Sequence, residues 1–314
     1  MRISTSMMFE RGLNAMQNRQ SDLSRTGEQL ASGKQVVSPS DDPRATSQAL
    51  VVKQDQAIQS QFESSRTSAT SALEAQENAL SGVNDLLNRA KGLVVQAGNG
   101  TMSAGDRDSV ASELEGLYNG LMSLANSQDS SGLHIFSGSQ GNTAPFAESA
   151  PDANGSMTVT YEGDSEPLEM RVDASRLMDV NASGADVFRV PATGQDAESS
   201  IFNVFQNAIG ALRNENLSAE ERRTSIDQVN RQLDSGNDNV LQARTSIGTR
   251  LNELDVLGEI GTSRSISNAS TISDLEDLDY AEAISRYTMG QMGLEASQKV
   301  FSQVQQTSLF SLIR

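Results

Sequence analysis

Residues 218–257 read SAEERRTSIDQVNRQLDSGNDNVLQARTSIGTRLNELDVL, with an aliphatic side chain at every seventh position: Ile226, Leu233, Val240, Ile247 and Leu254. A repeat of seven without polar interruption predicts a long helix with one packed seam. Val229, Ala243 and Leu257 follow members of the series by three residues and supply partial d positions, while Gly236 and Arg250 fill that slot elsewhere. Ser218 and Glu221 have capping-box spacing and mark the start. From Ile226 to Leu254 such a helix runs about 42 Å at ~1.5 Å per residue. It cannot bury its seam alone, so a partner of similar length is expected elsewhere in the chain.

That partner is expected N-terminal to it. From Pro43 onward Val52, Phe62, Ala69, Leu73, Leu80, Val83, Leu87, Ala90, Val94 and Ala97 keep spacings of seven or of four and three. Gly98-Asn99-Gly100 reads as the turn that ends this helix. Ser103 and Asp106 open the next, in which Val110, Leu114, Leu117, Leu121 and Leu124 form another stripe. The two helices are expected to form an antiparallel hairpin packed on the 218–257 seam. Core positions are therefore Leu73, Leu80, Leu87, Val94, Leu114, Leu121, Ile226, Leu233, Val240, Ile247 and Leu254.

Between these helical regions the pattern changes. Residues 127–143 are rich in Ser and Gly, and four of the six prolines fall between 145 and 191. Met157, Val159 and Tyr161 alternate with threonines, Glu162-Gly163-Asp164 reads as a turn, and Leu168, Met170 and Val172 alternate again. Residues 135–198 are read as a small β-rich insert. The helical pattern resumes near Ser199 with Ile201, Phe202, Phe205, Ile209 and Leu212.

The two ends carry stripes of their own. Phe9, Met16, Leu23 and Leu30 stand seven apart, with Leu13, Gln20 and Gly27 between them. Tyr280, Tyr287, Leu294 and Phe301 share one heptad position, and Ala283, Gly290, Ser297 and Val304 the one three residues on. Large side chains facing small ones let two helices approach closely. Ile284 extends the C-terminal stripe, and Leu309, Phe310, Leu312 and Ile313 end it in an apolar tail that water does not tolerate uncovered. About four anchors worth roughly 1.5–3 kcal/mol each do not balance ~1–2 kcal/mol of backbone entropy for each residue of the N-terminal helix. That helix is expected to order on assembly. Gly258, Gly261 and the serines from 263 to 273 suggest a thin or mobile stretch before the C-terminal helix.

The expected fold is mainly α, with long coiled-coil-like helices contributed by both termini and a small β-rich insert in the middle. Its parts are a terminal paired-helix assembly domain (1–38 and 278–314), a helical bundle core (39–134 and 199–277) and the outer insert (135–198). The assembly surface is assigned to Phe9, Leu13, Met16, Leu23, Leu30, Tyr280, Ile284, Tyr287, Leu294, Phe301, Val304, Leu309, Phe310 and Leu312.

Composition limits the chemistry. A chain of 314 residues has room for two or three domains. Aromatic residues are only 4% and Trp is absent, which suits elongated helices with thin seams. Without Cys there are no disulfides and no thiolate metal sites. The opening residues lack the apolar run of a cleaved signal peptide, and no run suits a membrane span. The net charge of −17 argues against nucleic acid. Five basic and three acidic groups in residues 1–34 leave +2, and three basic and two acidic groups in 281–314 leave +1, so the middle holds −20. Nearly neutral ends pack against copies of themselves without large repulsion.

The search for a reactive site is negative. One histidine, His134, excludes multi-histidine metal motifs, and it reads as a packed residue of an apolar segment. Asp41 and Asp42 could bind a metal or act as an acid–base pair; capping the helix that opens at Pro43 is the simpler use. Asp179, Asn181, Ser183 and Gly184 match the first half of a calcium loop, but Val190 stands where a bidentate Glu is required. No catalytic residue, cofactor or metal ligand is assigned.

Several stretches carry a family resemblance. They include Met1-Arg-Ile-Ser-Thr with Met7-Met8, Gln29-Leu-Ala-Ser-Gly-Lys34, and Pro39-Ser-Asp-Asp-Pro43 through Gln48-Ala-Leu50. Ala97-Gly-Asn-Gly-Thr101, Gly132-Leu-His-Ile-Phe-Ser-Gly138 with Pro145-Phe146, Leu275-Glu-Asp-Leu-Asp-Tyr280 and Ser308-Leu-Phe-Ser-Leu-Ile-Arg314 complete the set. Together they resemble FlgL, a flagellin-like family of hook-associated proteins at the bacterial flagellar hook–filament junction, over residues 1–146 and 199–314. The Pro39/Pro43 bracket favours that family over flagellin itself. The resemblance implies a non-enzymatic subunit, exported unfolded through the flagellar type III apparatus without a cleaved signal peptide. It implies an extracellular ring of self-assembled copies between a FlgK-type hook-associated protein and flagellin, and an export chaperone of the FlgN type. Two alternatives remain: a short flagellin forming the filament itself, and a glycan-binding or enzymatic module carried on the insert.

Overall fold

The computed structural model describes residues 5–99, 102–149, 158–190 and 199–310. Seven helices and six short strands occur among them: α1 (Thr5–Ser32), α2 (Pro43–Ala97), α3 (Ala104–Ala125), β1 (Phe146–Glu148), β2 (Val159–Tyr161), β3 (Glu169–Asp173), β4 (Arg176–Asp179), α4 (Gly184–Val187), β5 (Arg189–Val190), β6 (Ser199–Ser200), α5 (Ile201–Arg213), α6 (Ala219–Glu276) and α7 (Tyr280–Phe310). The fold is mainly α, with helical ends and a small strand-bearing middle. No described helix is long and apolar enough to cross a membrane. The chain forms two compact units, one of residues 1–59 with 262–314 and one of residues 60–261. That division cuts α2 and α6 within their lengths, a partition different from the three parts read from sequence.

In the larger unit, α2 and α6 run antiparallel. Glu77 meets Arg244 at 2.7 Å, Asn84 donates to Asn237 at 2.8 Å, and Lys91 pairs with Asp234. α3 folds back on α2, where Leu124 lies against Gly82, Leu86 against Gly120 and Arg89 against Glu113. Every seam residue from Leu73 to Leu254 assigned above is buried, in one cluster shared by the three helices. At roughly 1.5–3 kcal/mol for each fully buried aliphatic side chain, this seam outweighs the capping terms. Helix starts follow their capping signals. Ser218 and Glu221 exchange hydrogen bonds of 3.2 and 2.9 Å, Ser103 and Asp106 do the same, and Ser200 caps α5.

The strands form three separate antiparallel pairs, β1–β2, β3–β4 and β5–β6. Tyr161 pairs across to Phe146, and Met170 to Met178. Leu168 lies outside β3 and is half exposed, while Met157 lies outside the described residues. Pairs this short do not stand alone. Phe146, Val172 and Met178 of the strands, with Phe136 and Phe188 of the connecting segments, belong to the cluster of the helical seam. Phe146 sits 4.8 Å, centroid to centroid, from Phe202 of α5, which meets Tyr118 of α3 edge-on. The segment is thus a wall of the helical core rather than a body with a core of its own.

Two details differ from the sequence reading. The serine-rich stretch after Leu257 is no interruption, because α6 continues unbroken to Glu276. Gly261 is there for packing, since a β-carbon on it would lie 2.5 Å from Nη2 of buried Arg66. No proline occurs in this stretch, and Thr271 satisfies its own hydroxyl on the Ser267 carbonyl at 2.9 Å. His134, read as a packed residue of an apolar segment, is half-buried and forms an isolated antiparallel bridge with Gln128, its Nδ1 2.8 Å from the Asn126 carbonyl and its Nε2 beside the Gln128 side chain.

Candidate assembly interface

The smaller unit brings the two ends of the chain together. α1 and α7 pack as an antiparallel pair held by large-on-small contacts. A β-carbon on Gly12 would lie 3.3 Å from the Phe301 ring, one on Gly27 would lie 3.6 Å from Tyr287, and one on Gly290 would lie 3.3 Å from Leu23. Arg19 extends over Gly293 in the same register. A β-carbon at Gly27 would make ordinary van der Waals contact, those at Gly12 and Gly290 would push the facing side chain back by a few tenths of an ångström, and larger side chains would separate the helices. Ala283 is fully buried, and Ser297 turns its hydroxyl onto the Gly293 carbonyl at 2.7 Å.

Of the residues assigned to assembly from sequence, Met16, Leu23, Leu30, Tyr287, Leu294 and Phe301 are half-buried. Leu13, Tyr280 and Ile284 are exposed. The side chains of Phe9, Val304, Leu309 and Phe310, and the whole of Leu312, lie outside the described residues. Contacts with Tyr287, Phe301 and Leu23 therefore join the two stripes within one chain.

Large apolar side chains of α7 also stand outside this contact. At 3.6 residues per turn, Met292 falls on the side turned away from the Tyr287–Leu294–Phe301 stripe, while Met289 and Val300 flank the α1 contact on the side of Gly293. Met289, Met292 and Val300 are 58%, 62% and 60% exposed. Ser285 and Lys299 share the outward side with Met292, and α1 leaves all three apolar side chains largely exposed. The heptad reading found the inner stripe and missed these three, which do not recur every seventh residue.

The base of the pair is closed by polar contacts. Gly33 adopts φ = 71°, which a side chain disfavours, and its N–H donates to the Gln29 carbonyl at 2.9 Å to end α1. Asp42 accepts from the N–H groups of Arg44 and Ala45 at 2.9 and 3.0 Å, with Pro43 at the first position of α2. Asp41 accepts from the N–H groups of Val37 and Ser38 and pairs with Arg25 at 2.8 Å. Both carboxylates thus hold the turn. In the larger unit, Asp179 pairs with Arg250, Asn181 accepts from the Leu168 N–H at 2.7 Å, and Ser183 caps α4. No three His, Cys, Asp or Glu side chains cluster as metal ligands among the described residues.

Residues 3–141 match the bacterial flagellin N-terminal helical region, and residues 230–313 match the bacterial flagellin C-terminal helical region. Flagellar hook-associated protein 3 of Salmonella typhimurium is 39% identical over the full length of both chains. The Escherichia coli protein of that name is 38% identical over 99% of each. The crystal structure of the flagellar junction protein FlgL from Legionella pneumophila superposes with a TM-score of 0.60 at 22% identity, covering 73% of this chain and all of that one, which shows a shared fold.

Proposed function

We infer that this chain, which belongs to the family of flagellar hook-associated protein 3 and is a structural component of the flagellum, joins the hook-associated ring to the flagellin filament. The observation that carries the reading is the exposure of large apolar side chains on α7 beside its contact with α1. α1 half-buries Tyr287, Leu294 and Phe301, and exposed Met289, Met292 and Val300 are left for a neighbouring subunit. Copies associate through these nearly neutral ends, while the acidic middle keeps its charge in water. The protein is not an enzyme in this reading. Its partners are further copies of itself, a FlgK-type hook-associated protein on one side and flagellin on the other. It reaches the cell exterior unfolded through the flagellar export apparatus with a FlgN-type chaperone, a route favoured by the absence of disulfides.

Deleting the gene tests the reading. Hooks without filaments, with flagellin lost to the medium, are expected. Normal filaments on the deleted strain would reject the junction role and favour a redundant flagellin.

A further inference from the structure

Two of the four lysines in the chain, Lys34 and Lys53, meet at one carboxylate. Glu276, the last residue of α6, accepts from Lys34 Nζ at 2.9 Å through Oε2 and from Lys53 Nζ through Oε1. Lys34 stands in the turn that closes α1, and Lys53 on α2. Backbone bonds reinforce the junction: the Gln35 N–H donates to the Glu276 carbonyl at 2.7 Å, and the Leu278 N–H to the Gly33 carbonyl at 3.1 Å. Buried Gln29 donates to the Gln35 carbonyl at 2.6 Å.

The Glu276 side chain is only 13% exposed. A covered carboxylate that loses its cations keeps the desolvation cost without the attraction. Its two oxygens serve two different segments, so neither lysine alone satisfies it. The hydrogen bonds from Lys53, and then from Lys34, hold its pKa below the ordinary glutamate value.

We propose that Glu276 is a latch that ties the turn closing α1 and the start of α2 to the end of α6. Docking of α1 on α7 and fixing of residues 33–42 then occur as one event. The proposal rests on the reading of the terminal pair as the assembly element, and it names the device that couples that pair to α2.

Hydrogen exchange on the full-length chain tests it at the Gln35 and Leu278 amides, with Ile247 as the reference in the seam. Glu276→Gln is expected to speed exchange at Gln35 and Leu278 by tenfold or more while Ile247 stays protected. Lys53→Met, which leaves Lys34 in place, is expected to give a smaller increase at the same two amides. Unchanged exchange in Glu276→Gln, or a wild-type chain already unprotected at both amides, would overturn the latch. Should Glu276→Gln also expose Ile247, Lys53→Met decides: an increase confined to Gln35 and Leu278 supports the latch, and no increase overturns it. These amides report on the latch whether or not a subunit enters the flagellum, so its failure is separable from failure of the junction role.

Discussion

Gly236 of α6 and Ile201 at the start of α5 approach so closely that a β-carbon on the glycine would lie 2.6 Å from Ile201 Cδ1 and 3.2 Å from Cγ1. Val190 of β5 closes the same space, its Cγ2 3.4 Å from that position. The gap in the heptad seam is therefore the socket that receives α5 and the strand segment. Gly236→Ala gains about 1 kcal/mol of helix propensity and incurs roughly 1–3 kcal/mol of overpacking. We expect a net loss of stability in urea unfolding. Ile201→Val, which removes Cδ1, should recover part of that loss in the double variant, giving a coupling that independent sites do not show.

Gln76 makes the corresponding link from α2. It is 1% exposed, donates to the Ile135 carbonyl at 2.5 Å and accepts from the Ala182 N–H at 3.0 Å. Gln76→Leu leaves both backbone groups buried without this partner, at roughly 1–3 kcal/mol each. Hydrogen exchange at Ala182 should accelerate well before the seam amides do.

Burial separates two neighbouring aliphatics on α6. Ile247 is fully buried and Leu241 is 42% exposed. Ile247→Ala should lower unfolding free energy by about 2–5 kcal/mol, and Leu241→Ala by less than about 0.5 kcal/mol. Thermal melts of the two variants check the assignment of the core-facing side.

Acid should act through the caps and ion pairs. Asp106 and Glu221 are held below their ordinary pKa by hydrogen bonds from Ser103 and Ser218, and Glu253 by Arg176. A depressed carboxylate contributes stability that is fully present above its unfolded value. That contribution is lost as pH falls through the lower folded value. The melting temperature should therefore hold steady above pH ~5 and drop below pH ~4. Ser218→Ala should cost about 1 kcal/mol at neutral pH and flatten part of the acid limb.

How much could be read from sequence follows from what leaves a periodic trace. Ile226, Leu233, Val240, Ile247 and Leu254 recur every seventh residue because one face of α6 is buried along its length, and each is buried in the structure. Capping at Ser103 and Ser218 is equally local. Arg250 and Gly236 looked like flaws in the seam because their partners, Asp179 and Ile201, come from segments the repeat does not mention. Glu276 was invisible as a site for the same reason: Lys34 and Lys53 lie over 200 residues away in sequence. Phe146 of β1 and Phe188, just before β5, join the helical core through ring contacts with Phe202 that no alternation in such short strands announces.

If exposed Met292 of α7 meets neighbouring subunits, Met292→Glu removes that contact. Met292 is 62% exposed, so the charge leaves the chain's own fold intact. Complementing a deletion strain with this variant and measuring its amount in purified hook–filament complexes gives the answer, with the exported protein in the medium as reference. The variant should be exported, keep the wild-type melting temperature and fail to enter the complex, whereas Leu168→Glu should enter normally. Incorporation of Met292→Glu at the wild-type level would show that this side of α7 is not the contact between subunits.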